Sequence, residues 1–282
     1  MKLIECPRDA MQGLHDFIPT DLKAAYINLL LQVGFDTIDF GSFVSPKAIP
    51  QLRDTTEVLA QLDLSSTTSK LLAIVANLRG VEAAVQHNEI SYLGFPFSIS
   101  ETFQQRNTNS SIAQSLHTVE EMLDLCDKHS KRAVVYLSMG FGNPYGDEWN
   151  VEIVEQWADE LVKRGVQILS LADTTGVSTP DKIKTILPPL IKKYTATEIG
   201  IHLHSTPFTR LEKIEAAYEA GCTRFDSALK GFGGCPMAAD DLTGNMATED
   251  LIHYLQSKGE NLSLNLDKWH EAMVLSTEIF NQ

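Results

Sequence analysis

The 282-residue sequence predicts a single-domain α/β fold, a (β/α)8 TIM barrel with an additional C-terminal helix. Three observations carry that expectation. Short apolar runs alternate with helical periodicity from end to end. Eight such runs are countable, and parallel strands need a helix in every crossover. One junction, a glycine closing a helix followed by an apolar strand, recurs at Gly34, Gly165 and Gly221. An open doubly wound sheet would instead want a glycine-rich turn after its first strand, and Cys6-Pro7-Arg8-Asp9 is not one.

In order, the first strand covers residues 3–5 and leads to Arg8 and Asp9 at its end. Thr20 is placed to cap a helix with the apolar face Leu22, Tyr26, Leu29, Leu30 and Val33, closed by Gly34. The second strand, 35–40, carries Asp39, with Ser42 just beyond. Strands at 71–75, 90–95, 133–139 and 168–172 follow, the last running into Asp173 and Thr174. Thr179 caps the next helix with Pro180 at its first position, and Ile183, Ile186, Leu187, Leu190 and Ile191 face inward. The seventh strand, 199–203, bears His202, with His204 after it. The eighth, 223–227, precedes a glycine-rich loop from Lys230 to Asn245. Thr248-Glu249 opens a helix that buries Leu251, Ile252 and Leu255, and residues 266–280 form the extra helix.

No linker divides the chain, so one domain is expected over residues 1–282, and 43% hydrophobic residues suffice for its core. The formal net charge is -14 and the basic residues are scattered, which argues against nucleic acid and against an anionic membrane surface. Cys6, Cys126, Cys222 and Cys235 form no CxxC pair and suggest no disulfide framework. The polar start and the lack of a long apolar run make the cytoplasm the expected compartment.

In a barrel of this type the chemistry sits at the C-terminal ends of the strands. His202 and His204 are two apart in an extended segment, so both imidazoles point to one side. Such a pair suits a metal ion; the bland alternative is two hydrogen-bonded histidines without one. Asp9 would add a carboxylate and favour a dication with positions left open for substrate oxygens. Arg8 beside it could hold the charge of an enolate; the alternative is a structural Arg–Asp pair. Cys235, in Gly233-Gly234-Cys235-Pro236, could move a proton from a loop able to fold over a ligand, although a lone loop cysteine is more often inert.

Several segments together resemble one family. Glu5-Cys6-Pro7-Arg8-Asp9-Ala10-Met11-Gln12 is similar to a first-strand motif ending Arg-Asp-Gly-Leu-Gln. Ser42-Phe43-Val44-Ser45-Pro46-Lys47 with Pro50-Gln51 resembles its second loop, and Ala172-Asp173-Thr174-Thr175-Gly176 with Thr179-Pro180 its sixth. His202-Leu203-His204 resembles the seventh, and Gly233-Gly234-Cys235-Pro236 with Gly244-Asn245 and Ala247-Thr248-Glu249-Asp250 the eighth. The family is that of the 3-hydroxy-3-methylglutaryl-CoA lyases, and the resemblance runs from residue 3 to about residue 275.

The resemblance implies metal-assisted retro-Claisen cleavage of 3-hydroxy-3-methylglutaryl-CoA to acetyl-CoA and acetoacetate. It implies Mg2+ or Mn2+ on Asp9, His202, His204 and Asn245, and catalytic roles for Arg8, Asp39, Asp173 and Cys235. It further implies substrate contacts from Gln12, Ser42 and Lys47, an acyl-CoA ligand and a homodimer. The sequence also departs from the family pattern. Asp39 stands where a glutamate is usual, Ser205 interrupts the continuation His-x-His-Asp-Thr, Ala10 replaces a glycine, and the glycine-rich loop is one residue longer. Those departures keep open a related lyase, an aldolase, an enzyme condensing an acyl-CoA with a keto acid, or a non-catalytic acyl-CoA- or metal-binding relative.

Overall fold

The computed structural model describes residues 1–234 and 243–280. Among these residues eight parallel strands close a barrel in sequence order. They are β1 (Lys2–Glu5), β2 (Thr37–Ser42), β3 (Lys70–Ile74), β4 (Ile90–Ser98), β5 (Arg132–Ser138), β6 (Ile168–Asp173), β7 (Glu198–Leu203) and β8 (Arg224–Ser227). Closure runs through β8 and β1, from Lys2 opposite Arg224 to Glu5 opposite Ser227. The helices are α1 (Pro7–Gln12), α2 (Thr20–Val33), α3 (Thr55–Leu59), α4 (Leu78–Ala84), α5 (Glu101–Thr108), α6 (Ile112–Lys128), α7 (Val151–Lys163), α8 (Pro180–Lys193), α9 (Arg210–Glu219), α10 (Thr248–Ser257) and α11 (Leu266–Phe280).

The recurring junction has a steric cause. Gly34, Gly165 and Gly221 take φ of 95°, 100° and 87°, the left-handed conformation that turns the chain out of a helix and that glycine adopts without a Cβ clash. Thr179 caps α8 as expected, its hydroxyl accepting from Lys182 N at 3.3 Å. Thr20 does not cap, and Thr248 opens α10 as expected. Each is the first residue of its helix, and the hydroxyls are drawn elsewhere, Thr20 donating to Asp54 Oδ2 at 2.8 Å and Thr248 to Glu5 Oε2 at 2.6 Å. β2 starts two residues later than the pattern suggests, because buried Phe35 plugs the outer core edge-on to Trp269 of α11.

Most of the core lies between the strands and the helix ring. A separate apolar cluster, Leu72, Ile74, Val134, Tyr136, Ile168 and Ala172, comes from β3, β5 and β6. The neighbouring strands β2, β7 and β8 instead carry Asp39, His202, Arg224 and Asp226, with the two aspartates and the arginine buried. The barrel thus divides into an apolar side and a charged side, and the site lies on the charged side.

Candidate active site

The first strand stops at Glu5, and Arg8 and Asp9 stand in α1 rather than on the strand itself. Pro7 at the first helical position starts this turn immediately, which swings both side chains over the barrel mouth. Arg8 is buried and forks onto Asp39, with Nε donating to Oδ1 at 3.2 Å and Oδ2 at 3.1 Å and Nη2 to Oδ2 at 2.5 Å. Its Nη1 donates to Asp9 Oδ1 and to Gln12 Oε1, each at 2.8 Å. Gln12 Nε2 donates to the same Asp9 oxygen at 2.9 Å. Asn245 Nδ2 donates to the other, Oδ2, at 2.7 Å.

These contacts set the charges. Burial works against ionisation of Asp9, but Arg8, His202, His204 and the Asn245 bond together hold its carboxyl at about 2. For Asp39 burial wins over the Arg8 ion pair, with Asp9 and Asp226 adding repulsion, and the carboxyl is pushed up to about 6. Burial, then His202, bring His204 down to about 4. His202 is raised: burial disfavours its cation, but the Asp226 bond and the charges of Asp9 and Asp226 outweigh that.

The structure brings the predicted ligands together. The two imidazole centres are 5.3 Å apart, and one atom each from Asp9, His202 and His204 lie within 4.8 Å of one another. Asn245 arrives by an antiparallel bridge to His204, fixed by Met246 N donating to Leu203 O at 3.1 Å. Close approach of the loop requires Gly233, φ 97°, where a Cβ would fall 2.7 Å from both Asn245 Nδ2 and Asp9 O. A carboxylate and two imidazoles form a donor set suited to a divalent cation, with the Asn245 amide beside them, bonded to Asp9 through Nδ2.

A cleft of about 870 Å3, its open mouth included, lies against this cluster. Arg8, Gln12, Ser42, His202 and His204 line its polar side, and Ile74, Pro96, Phe103, Tyr136 and Ala172 its apolar side. Asp39 is not among the lining residues; the short side chain reaches Arg8 and stops. Lys47 is exposed on the loop after β2. Asp173 is buried behind His204. It accepts from Ser178 N and Oγ at 3.1 and 2.5 Å and pairs at 3.0 Å with Lys213 Nζ, which also donates to His204 O at 2.8 Å. Cys235 lies outside the described residues. Two residues escaped the sequence reading: Lys213, the brace just described, and Asp226, whose Oδ2 lies 3.3 Å from His202 Nδ1. Two charged residues two apart in the short eighth strand, Arg224 and Asp226, were the available signal.

A second cleft shares Gln12, Ala48 and Ile49 with the first and adds His15, Phe17 and Arg53. Arg53 lies over the Phe17 ring at 3.6 Å, and Lys23 contacts the same ring at 4.0 Å.

The comparisons with known proteins bear on the family and the fold. The HMGL-like family model matches residues 3–275. The hydroxymethylglutaryl-CoA lyase YngG of Bacillus subtilis is 35% identical over 262 residues, 93% of this chain and 87% of that one. The cytoplasmic 3-hydroxy-3-methylglutaryl-CoA lyase of Homo sapiens is 35% identical over 275 residues, 96% of this chain and 73% of that one. Among solved structures, the HMG-CoA lyase of Bacillus subtilis superposes with a TM-score of 0.92 at 33% identity, covering 100% of this chain and 94% of that one. The HMG-CoA lyase of Acinetobacter baumannii, in complex with coenzyme A and 3-methylmalate, gives 0.91 at 31%, covering 100% and 91%. A match that spans nearly the whole sequence, and a barrel that superposes over its full length, place this chain in the HMGL-like family.

Proposed function

We propose that the protein is a carbon–carbon lyase that cleaves 3-hydroxy-3-methylglutaryl-CoA to acetyl-CoA and acetoacetate. The observation that carries this reading is the convergence of Asp9, His202, His204 and Asn245 beside the Arg8 guanidinium on one cleft. A divalent cation held by those four residues, Mg2+ or Mn2+, would supply a Lewis acid for the substrate's carboxylate and tertiary hydroxyl oxygens. In the reaction the 3-hydroxyl loses its proton and the C2–C3 bond breaks. The bond's electron pair becomes the enolate of acetyl-CoA, and a proton returns to C2. Arg8 is placed to hold the enolate charge, and Asp39 and Gln12 fix its fork so that no reorganisation is needed at that moment. The apolar wall of the cleft excludes water from the carbanionic carbon. The proposal gives Cys235 the returning proton and Asp173, through Lys213, the bracing of His204.

The second cleft suits the nucleotide end of the thioester, with Arg53 and the exposed Lys47 as the cations nearest its phosphates. Gln12 and Ser42, both lining the first cleft, would contact the acyl end. No helix among the described residues is long and apolar enough to cross a membrane. A cytoplasmic location and a homodimeric state complete the proposal. The test is cation-dependent release of acetoacetate from 3-hydroxy-3-methylglutaryl-CoA, lost on Arg8→Ala, against a panel of related acyl-CoAs and keto acids. Binding of cation and thioester without product would overturn the lyase reading.

A further inference from the structure

We propose that Asp226 is a positioning residue that fixes which nitrogen of His202 faces the cation. The inference rests on the cation site proposed above. The two nitrogens of His202 face two different carboxylates: Nδ1 lies 3.3 Å from Asp226 Oδ2, and Nε2 lies 3.9 Å from Asp9 Oδ2. An imidazole that ligates a metal is neutral and keeps one N–H, and the partner of that N–H decides which nitrogen is free to ligate. An ionised carboxylate only accepts hydrogen bonds. Asp226 therefore places the proton on Nδ1, and the Nε2 lone pair is turned toward Asp9 and His204. Tyr136 meets the ring edge-on, 5.8 Å between centres, and limits its rotation from the apolar side.

The Cys6 sulfur is also within reach of this pair. Its thiol is directed to Ile4 O at 3.7 Å, and burial and the surrounding carboxylates disfavour a thiolate, which leaves Asp226 as the acceptor. Asp226 itself is fully buried, so its charge needs support. Arg224, two residues earlier on the same strand and equally buried, supplies it through space. The long side chain is accommodated because β7 has Gly200 opposite, where a Cβ would fall 2.8 Å from Arg224 Cδ. The guanidinium is held by Glu198, Nη1 to Oε1 3.2 Å, and Glu198 by Lys2 at 2.7 Å. Charges of alternating sign thus run from the floor of the barrel, Lys2, Glu198, Arg224 and Asp226, up to His202. The β7–β8 register, His202 opposite Asp226, puts the last two in contact.

The experiment titrates Mn2+ into metal-stripped wild type and Asp226→Asn, reading the free ion by electron paramagnetic resonance. In parallel, 15N-histidine spectra of the Mg2+-loaded wild type, assigned with His202→Gln, report which ring nitrogen carries the proton. The expected results are protonated Nδ1 in the wild type and Mn2+ affinity lowered about 10- to 100-fold in Asp226→Asn. Wild-type Mn2+ affinity in a folded Asp226→Asn variant, or an unprotonated Nδ1 in the wild type, would overturn the inference. The spectrum of the wild type decides the matter if the variant does not fold. Failure of the wild type to bind Mn2+ would remove the cation site and this inference together; failure confined to the variant comparison would remove only the inference.

Discussion

Glu5 gives the sharpest test of the electrostatics, because a single buried carboxyl joins both roots of the loop between β8 and α10. Its Oε1 accepts from Leu229 N at 2.8 Å and its Oε2 from Thr248 Oγ1 at 2.6 Å. Burial pushes the carboxyl up to about 8 although both bonds pull it down, and Glu249 adds a further push. An exposed glutamate in the unfolded chain titrates near 4.5. Between these values the folded state keeps a proton that the unfolded state has released. The contribution to stability is therefore complete below about 4.5 and is lost as pH rises through about 8. The slope is about 1.4 kcal/mol per pH unit, so roughly 3 kcal/mol is lost by neutral pH. Glu5→Gln removes the titration and keeps the shape. The amide oxygen can take the Leu229 bond, and the amide NH can donate to Thr248 Oγ1, which donates onward to Ser227 Oγ at 2.9 Å. Urea unfolding of wild type and variant at about pH 5.5, 6.5 and 7.5 measures the difference. The variant should gain on the wild type by about 1.4 kcal/mol for each unit. A gap that stays constant across this range would refute the reasoning.

Arg8→Lys replaces a fork that engages Asp39, Asp9 and Gln12 with a point charge, and should lower kcat by about 100- to 1000-fold while thioester KM moves little; steady-state acetoacetate release checks it. Stripping the protein with a chelator should abolish turnover and lower Tm, and Mg2+ or Mn2+ at about 100 times its Kd should return about 2.7 kcal/mol, read by thermal melts. Gly200→Ala forces a methyl group against Arg224 Cδ and Cγ at 2.8 and 3.0 Å, and should cost about 1–3 kcal/mol in denaturant unfolding.

The barrel was legible because apolar runs alternate with helical periodicity throughout and three crossovers repeat the same local chemistry, a glycine leaving a helix and a strand after it. Capping was read correctly only where the hydroxyl had no competing partner. Thr179 faces its own helix, but Asp54, remote in sequence, claims Thr20. The histidine pair could be read because alternation along one strand is local information, and Arg8 and Asp9 because they are adjacent. Asp226 could not be assigned that way, since its meaning comes from the β7–β8 register, which no single segment encodes. Asp39 shows the same limit. The resemblance implied a catalytic role for it, but only the fold shows that its carboxylate forks onto Arg8.

The overall charge of -14 would repel a polyanionic thioester, so capture depends on the local balance at the cleft. Arg8 contributes one positive charge against the carboxylates of Asp9 and Asp39, which leaves one negative charge at the mouth. Deeper, Arg224 offsets Asp226, and Lys213 offsets Asp173. The proposed dication on Asp9, His202 and His204 would reverse the sign at the mouth and make the cleft attractive to a substrate carboxylate. With Asp9 held down to about 2 and His204 to about 4, both are deprotonated at neutral pH, the form in which a carboxylate or imidazole can ligate. Burying so many charges is costly for folding. The barrel gathers the charges around Arg8 and Arg224 on the side formed by β1, β2, β7 and β8, with Asp173 at the end of β6, and leaves Leu72, Ile74, Val134, Tyr136, Ile168 and Ala172 to packing. On the charged side Glu198 pairs with Arg224 and His202 with Asp226 across β7 and β8, so the strand register itself sets which charges meet.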